Sequence, residues 1–312
     1  MSHATPSEHC AGRRRFLAGV SAMAAAAWAG NAVRAGEAAS EPMPTIQLGP
    51  HSVSRIIAGS NPILGYSYLG PHTDRHMKEY FTVEQTIAFL QQCEREGITG
   101  HQFSTPDARG ESLRLARERG VSMHFICLHS ERQKIKADVE RAQPIAMVHH
   151  GGVTDRFLAE GKFDQVHDFV KAAHDAGVLA GVSAHNPDCI KRVADEGWEV
   201  DFFMTCFYFL TRKKPRTADD PSVPTLELSY PFYKDDPLAM TQVIRQVPQP
   251  CLAFKILAAG RCCDSQDSVR AAFQFAFARI KPTDGVIVGM YPRFFDEVHA
   301  NAQYTREFGG VS

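Results

Sequence analysis

Histidines 129, 149, 150 and 185 each fall at or just beyond the end of a short apolar run, and Gln102 and Lys255 occupy comparable places. Imidazole titrates nearest neutrality, so a histidine in such a place can polarise a carbonyl or move a proton. That work is assigned to His149, helped by Gln102 and Lys255, with His129 and His185 as further catalytic candidates. Lys255 interrupts the run Leu252-Ala253-Phe254-Lys255-Ile256-Leu257. A lysine desolvated there can lose its proton and serve as base or Schiff-base nucleophile; the plainer alternatives are a salt bridge or an ammonium reaching out to water. Imidazoles from separate strands can also converge on a metal. His129, His149 and His185, with Gln102 or Cys206, are therefore a candidate divalent-metal set for activating water.

Seven of the eight tyrosines lie in the segments 61–80 and 207–235 or at Tyr291. Loops that long are commonly lids, and rings on them can stack on flat or sugar-like faces. Asn61, Tyr66, Tyr208 and His150 are the expected substrate contacts, with packing inside the lid as the equal alternative for any one tyrosine. The eight cysteines show no repeated Cys-x-x-Cys spacing, which argues against a zinc ribbon or a disulfide scaffold. Cys262 and Cys263 are adjacent, a candidate redox-sensitive spot whose plainer reading is two inert loop thiols.

These groups need elements to position them. The 312 residues are 44% hydrophobic and 22% charged with a net charge of -1, the balance of a folded chain with no basic field for nucleic acid or anionic lipid. Eight apolar runs of strand length alternate with helical patterns: 55–59, 99–103, 122–128, 145–149, 179–183, 201–206, 251–256 and 285–289. Helix signals separate them, including Thr82 with Gln85 as a capping box, Asn186 ahead of Pro187, and the stripe Val269, Phe273, Phe277, Ile280. Before them, Ile46-Gln47-Leu48 and Ser52-Val53, split by Gly49-Pro50, predict a hairpin. Eight strand-helix pairs in about 265 residues predict an α/β fold, a (β/α)8 TIM barrel with an N-terminal β-hairpin, over residues 45–303, followed by a C-terminal tail at 304–312. In such a barrel the strand ends named above form the mouth.

Residues 1–40 are different in kind. Arg13-Arg14-Arg15-Phe16-Leu17 precedes the alanine-rich run Ala18 to Ala29, and Val33-Arg34-Ala35 offers a cleavage site. This resembles a twin-arginine export signal, and the apolar run is shorter than the roughly 20 residues of a spanning helix. The expectation is a periplasmic or otherwise exported protein that uses the twin-arginine machinery and has neither a stable membrane anchor nor a nucleic-acid partner.

The hairpin, Gly97-Ile98-Thr99 with Gly110-Glu111, the run into His149, Gly181-Val182-Ser183, Leu257-Ala258-Ala259-Gly260, and Ile287-Val288-Gly289 with Ala300-Asn301 together resemble the aldo/keto reductase superfamily. The resemblance implies reduction of a carbonyl with NADP(H), nucleotide contacts from Ser183, Phe207, Gly289 and Asn301, and a tetrad of Asp, Tyr, Lys and His. His149 matches the histidine, but Gln102 stands at the aspartate, Asp107 lies near the tyrosine, and Leu128 or His129 falls where lysine belongs. The expected protein is an exported barrel enzyme of altered chemistry acting on a small carbonyl, polyol or sugar, without ordinary NADPH-dependent reduction. The alternatives are an NADPH-dependent oxidoreductase with an atypical tetrad, a metal-dependent enzyme, and a non-catalytic periplasmic binding barrel.

Overall fold

The computed structural model describes residues 41–104, 107–212 and 230–310. The export signal, most of the segment after Tyr208 and the side chain of Asp107 lie outside the described residues. The chain opens with two short strands, β1 (Thr45–Leu48) and β2 (His51–Ser54), paired antiparallel across a turn in which Gly49 takes φ +54°. Then follow β3 (Ile56–Gly59), α1 (Asn61–Leu64), α2 (Pro71–Tyr80), α3 (Val83–Arg95), β4 (Gly100–Ser104) and α4 (Asp107–Glu118). Next come β5 (His124–His129), α5 (Ile135–Ala142), β6 (Ala146–His149), α6 (Gly151–Ala159) and α7 (Asp164–Asp175). The remainder is β7 (Leu179–Ala184), α8 (Pro187–Asp195), β8 (Phe202–Cys206), α9 (Asp236–Gln246), β9 (Cys251–Phe254), α10 (Gln266–Phe277), β10 (Gly285–Gly289) and α11 (Glu297–Gly309).

Strands β3 to β10 pair in parallel and close into a barrel in the order β10-β3-β4-β5-β6-β7-β8-β9, so the expected (β/α)8 architecture is present. Local signals act as read: the Thr82 hydroxyl accepts from the Gln85 amide, and Asn186 accepts from the Asp188 amide.

Alternation along each strand divides the core into two layers. Ile57, Ile126, Val148, Phe202, Leu252 and Ile287 point inward and pack with Ile46, Leu48 and Val53, so the hairpin plugs the end of the barrel where the strands begin. The opposite parity, including Ala58, Phe103, Phe125, Cys127, Val182 and Val288, packs outward against the helices. The tail boundary at 304 is corrected. Helix α11 continues to Gly309 because Thr305 and Gly309 are buried and the Gly309 carbonyl accepts a hydrogen bond from the buried Arg55 guanidinium.

Candidate functional site

Parity decides which strand-end residues reach the mouth. On β6, Val148 faces the interior, so His149 faces the helices and His150 returns to the mouth. The His149 ring is fully buried between Phe169 of α7, edge-to-face at 5.1 Å, and Phe157 of α6 at 5.8 Å. The Thr154 hydroxyl donates to the His150 carbonyl at 3.2 Å, so Nδ1 of His149 is the donor to Thr154 Oγ1 at 2.7 Å, and Nε2 has no partner. Burial, with smaller contributions from His150 and His129, pushes this imidazole down to about 3. His149 is therefore enclosed between strand and helix and does not stand at the mouth, where the sequence reading placed it.

His129 pairs with His149 in the register of β5 and β6 and shares its outward parity; its Nδ1 accepts from the Glu131 amide at 3.1 Å. With His129 and His149 outside the barrel wall and His185 at the mouth, the three imidazoles do not form one ligand set. Among the described residues no group of three or more His, Cys, Asp or Glu is arranged to hold a metal ion.

The mouth is built around His185, just past β7. Its Nδ1 stands 3.0 Å from Oδ2 of Asp155, a buried carboxylate on α6. Asp155 also accepts from the amides of His185 and Asn186, from Thr211 Oγ1 at 2.8 Å, and from Cys189 Sγ at 3.4 Å. Burial alone would raise this carboxyl, but the His185 hydrogen bond and charge, together with the Asn186 and Thr211 hydrogen bonds, outweigh it and hold Asp155 below its ordinary range. An ionised carboxylate only accepts, so Nδ1 of His185 carries a proton and Nε2 is the nitrogen turned away from Asp155. The ring lies edge-to-face against Phe254 of β9 at 5.7 Å.

Around it, His150 is exposed at the mouth. Ser183 is buried on the inward parity of β7. Gly151 begins α6 so close to β7 that a Cβ there would stand 2.9 Å from Ser183 Oγ and 3.2 Å from His185 Cε1. Gln102 faces inward between the outward His101 and Phe103, and its Nε2 is buried with no partner among the described residues. Lys255 takes φ +60° and sets its ammonium 3.8 Å from the centroid of the Tyr68 ring.

The expected substrate contacts divide. Asn61 is half-buried at the start of α1 beside the mouth, and Tyr66 is exposed. Tyr208 is turned into the outer layer against Phe232 at 5.0 Å, where burial, with Cys262 and Cys206, pushes its hydroxyl up to about 12. Residues implied for a nicotinamide nucleotide do not fit that group as a set. Ser183 and Gly289 stay at the mouth, but Phe207 is buried in the outer layer beside Phe275 of α10 and Asn301 is buried on α11. A ring packed between barrel and helices cannot stack on a ligand in the mouth. A separate cleft of about 300 Å³, lined by Ser130, Arg132, Gln133, Phe157, Gln165 and Asp168, lies outside the barrel and contains none of the mouth groups.

Sequence reasoning missed Asp155 and Thr211. Asp155 is the one acid of the short helix α6, and only its position on the buried face, four residues after the close approach at Gly151, sets it apart.

No protein-family model matches the chain, and no curated protein is similar to it in sequence. Solved structures resemble it in fold. The holo form of an aldo-keto reductase from Bacillus halodurans has a TM-score of 0.52 at 13% identity, over 84% of this chain and 91% of that one. A glycerol dehydrogenase from Gluconobacter oxydans has a TM-score of 0.50 at 12% identity, over 86% of this chain and 97% of that one. Fold and mouth together define a (β/α)8 barrel of the architecture seen in aldo-keto reductases, carrying a histidine held by a buried carboxylate.

Proposed function

We propose that the protein is an exported barrel enzyme that moves a proton on a small carbonyl-bearing substrate, a sugar or a related polyol derivative, with His185 as the base. The observation that carries this reading is the His185–Asp155 pair, because a carboxylate that accepts Nδ1–H sets the tautomer and stabilises the imidazolium formed when Nε2 takes a proton. In the step, Nε2 removes the proton from the carbon next to the carbonyl, the C–H pair enters the enolate, and charge grows on the carbonyl oxygen. The buried Gln102 amide, a donor without a partner, is the group suited to meet that oxygen. Return of the proton to the same carbon gives exchange; its delivery to the former carbonyl carbon, with the proton of the adjacent hydroxyl passing to the enolate oxygen, gives isomerisation with no net oxidation. Export is supported by the run Arg13-Arg14-Arg15-Phe16-Leu17.

The test is proton NMR of a panel of aldoses, ketoses and sugar acids incubated with the purified mature chain in deuterium oxide. Protein-dependent deuterium entry beside a carbonyl, lost in His185→Ala, is expected. Absence of exchange across the panel, with binding retained, would overturn catalysis in favour of a binding barrel.

A further inference from the structure

We propose that the mouth is built for an anionic small molecule, whose carboxylate or phosphate oxygens pair with the ammonium of Lys255. Beyond the proton-transfer reading, on which it rests for the location of the site, this names the substrate class.

Charge at the mouth end of the barrel is unevenly paired. Two buried acids there are already paired: Asp155 by the five donor groups described above, and Asp236 by the Arg212 guanidinium at 2.6 Å and the Phe209 amide at 3.1 Å. Glu297 is half-buried and accepts the Tyr291 amide at 2.7 Å. Two other cations, Lys255 and Arg261, have no carboxylate partner among the described residues. Lys255 is half-buried and makes no ion pair with any described residue; its ammonium has only the face of Tyr68 at 3.8 Å and, more distantly, Phe254 at 5.9 Å. Arg261, exposed in the same loop, lies over Phe232 at 3.9 Å and among the described residues donates to the carbonyls of Tyr68, Ala258 and Ala259.

A ring face recovers only part of what a half-buried ammonium loses in leaving water. The backbone is also held in an uncommon state to make this arrangement: Lys255, Ala258, Ala259 and Tyr68 all have φ between +48° and +60°. Such conformations persist in non-glycine residues only where the surrounding structure imposes them. Gln102 Nε2 adds a buried donor without an acceptor. Among the described residues the mouth therefore presents a half-buried cation, Lys255, without a carboxylate and a buried donor, Gln102 Nε2, without an acceptor, and a ligand rich in anionic acceptors completes it.

The experiment is calorimetric titration of the mature chain at neutral pH with glucose, glucuronate and glucose 6-phosphate. At least one anion is expected to bind about tenfold or more tighter than glucose and to weaken as NaCl rises. Comparison of glucuronate with glucose 6-phosphate identifies whether carboxylate or phosphate is the source. Lys255→Asn, which keeps a residue tolerant of positive φ, is expected to remove the preference, and Lys255→Arg to keep part of it. Arg261→Gln serves as a second charge-removing variant should Lys255→Asn fold poorly. Equal affinity for all three probes, no binding of either anion, or a preference unchanged in Lys255→Asn and Arg261→Gln overturns the proposal. Deuterium exchange without anion preference sinks this inference alone; anion preference without exchange sinks only the catalytic reading.

Discussion

His149 and His150 are neighbours in the chain and lie on opposite sides of the barrel wall. The first is buried against Phe169 with its imidazole pushed down to about 3, while the second is exposed at the mouth. A strand turns successive side chains to opposite faces, so one position separates a packing residue from a site residue.

His149→Ala should therefore leave turnover per folded molecule nearly unchanged while destabilising the chain. Removing a ring enclosed by Phe157, Phe169 and Thr154 leaves a cavity, and the cost expected is about 2–4 kcal/mol. Urea denaturation together with activity normalised to folded protein checks this; lost turnover at unchanged stability would return His149 to the mechanism.

His185→Ala and Asp155→Asn should have different signatures. The first removes the proposed base from a partly exposed position and is expected to lower turnover by about 10²–10⁴-fold with little loss of stability. The second replaces one acceptor oxygen by an amine facing amides that need acceptors, so it is expected to lose both turnover and melting temperature. Paired rate and melting measurements separate the two.

Gly151→Ala tests positioning without touching a reacting group. The added methyl would meet Ser183 Oγ and His185 Cε1, so α6 or the His185 ring has to move. The expected result is a lower kcat with the fold retained; kinetics equal to the parent chain would show that His185 need not be held where it is.

Stability should fall as pH falls below neutrality. His101 and His149 are both buried and depressed, to about 4 and about 3, against about 6.5 in the unfolded chain. Between those values the unfolded state binds more protons, so the stability contributed by the neutral rings is complete above about pH 6.5 and is lost as pH drops towards their folded values. Asp155, also depressed, adds a loss of the same sign in the carboxylate range. Denaturation midpoints measured from pH 7.5 downward, with His149→Phe flattening the slope, check the prediction; a flat profile would show these rings charged in the fold.

Truncation before residue 304 should unfold the barrel. The Arg55 guanidinium, buried at the start of β3, donates to the carbonyls of Asp284, Lys281 and Gly309 and lies 4.9 Å from the Phe277 ring. Arg55→Met leaves these carbonyls without that donor and is expected to cost about 3 kcal/mol. A truncated chain melting like the parent would refute the coupling.

The order of elements was legible along the chain because strand and helix periods, caps and turns are local. Strand β10 matches its expected bounds, and the other seven barrel strands differ by one or two residues at an end. The hairpin turn at Gly49 was equally local, since its chemistry lies within four residues. Which histidine reaches the mouth was not, because that depends on the parity with which each strand joins the closed sheet: Val148 inward means His149 outward. The tertiary structure also decided the Asp155–His185 contact, which joins residues 30 positions apart on different elements, and the Lys255–Tyr68 contact between loops from opposite ends of the chain. Composition and spacing supplied the titratable groups; the partners that set their protonation and orientation came only with barrel closure, because those interactions act through space over a few ångströms.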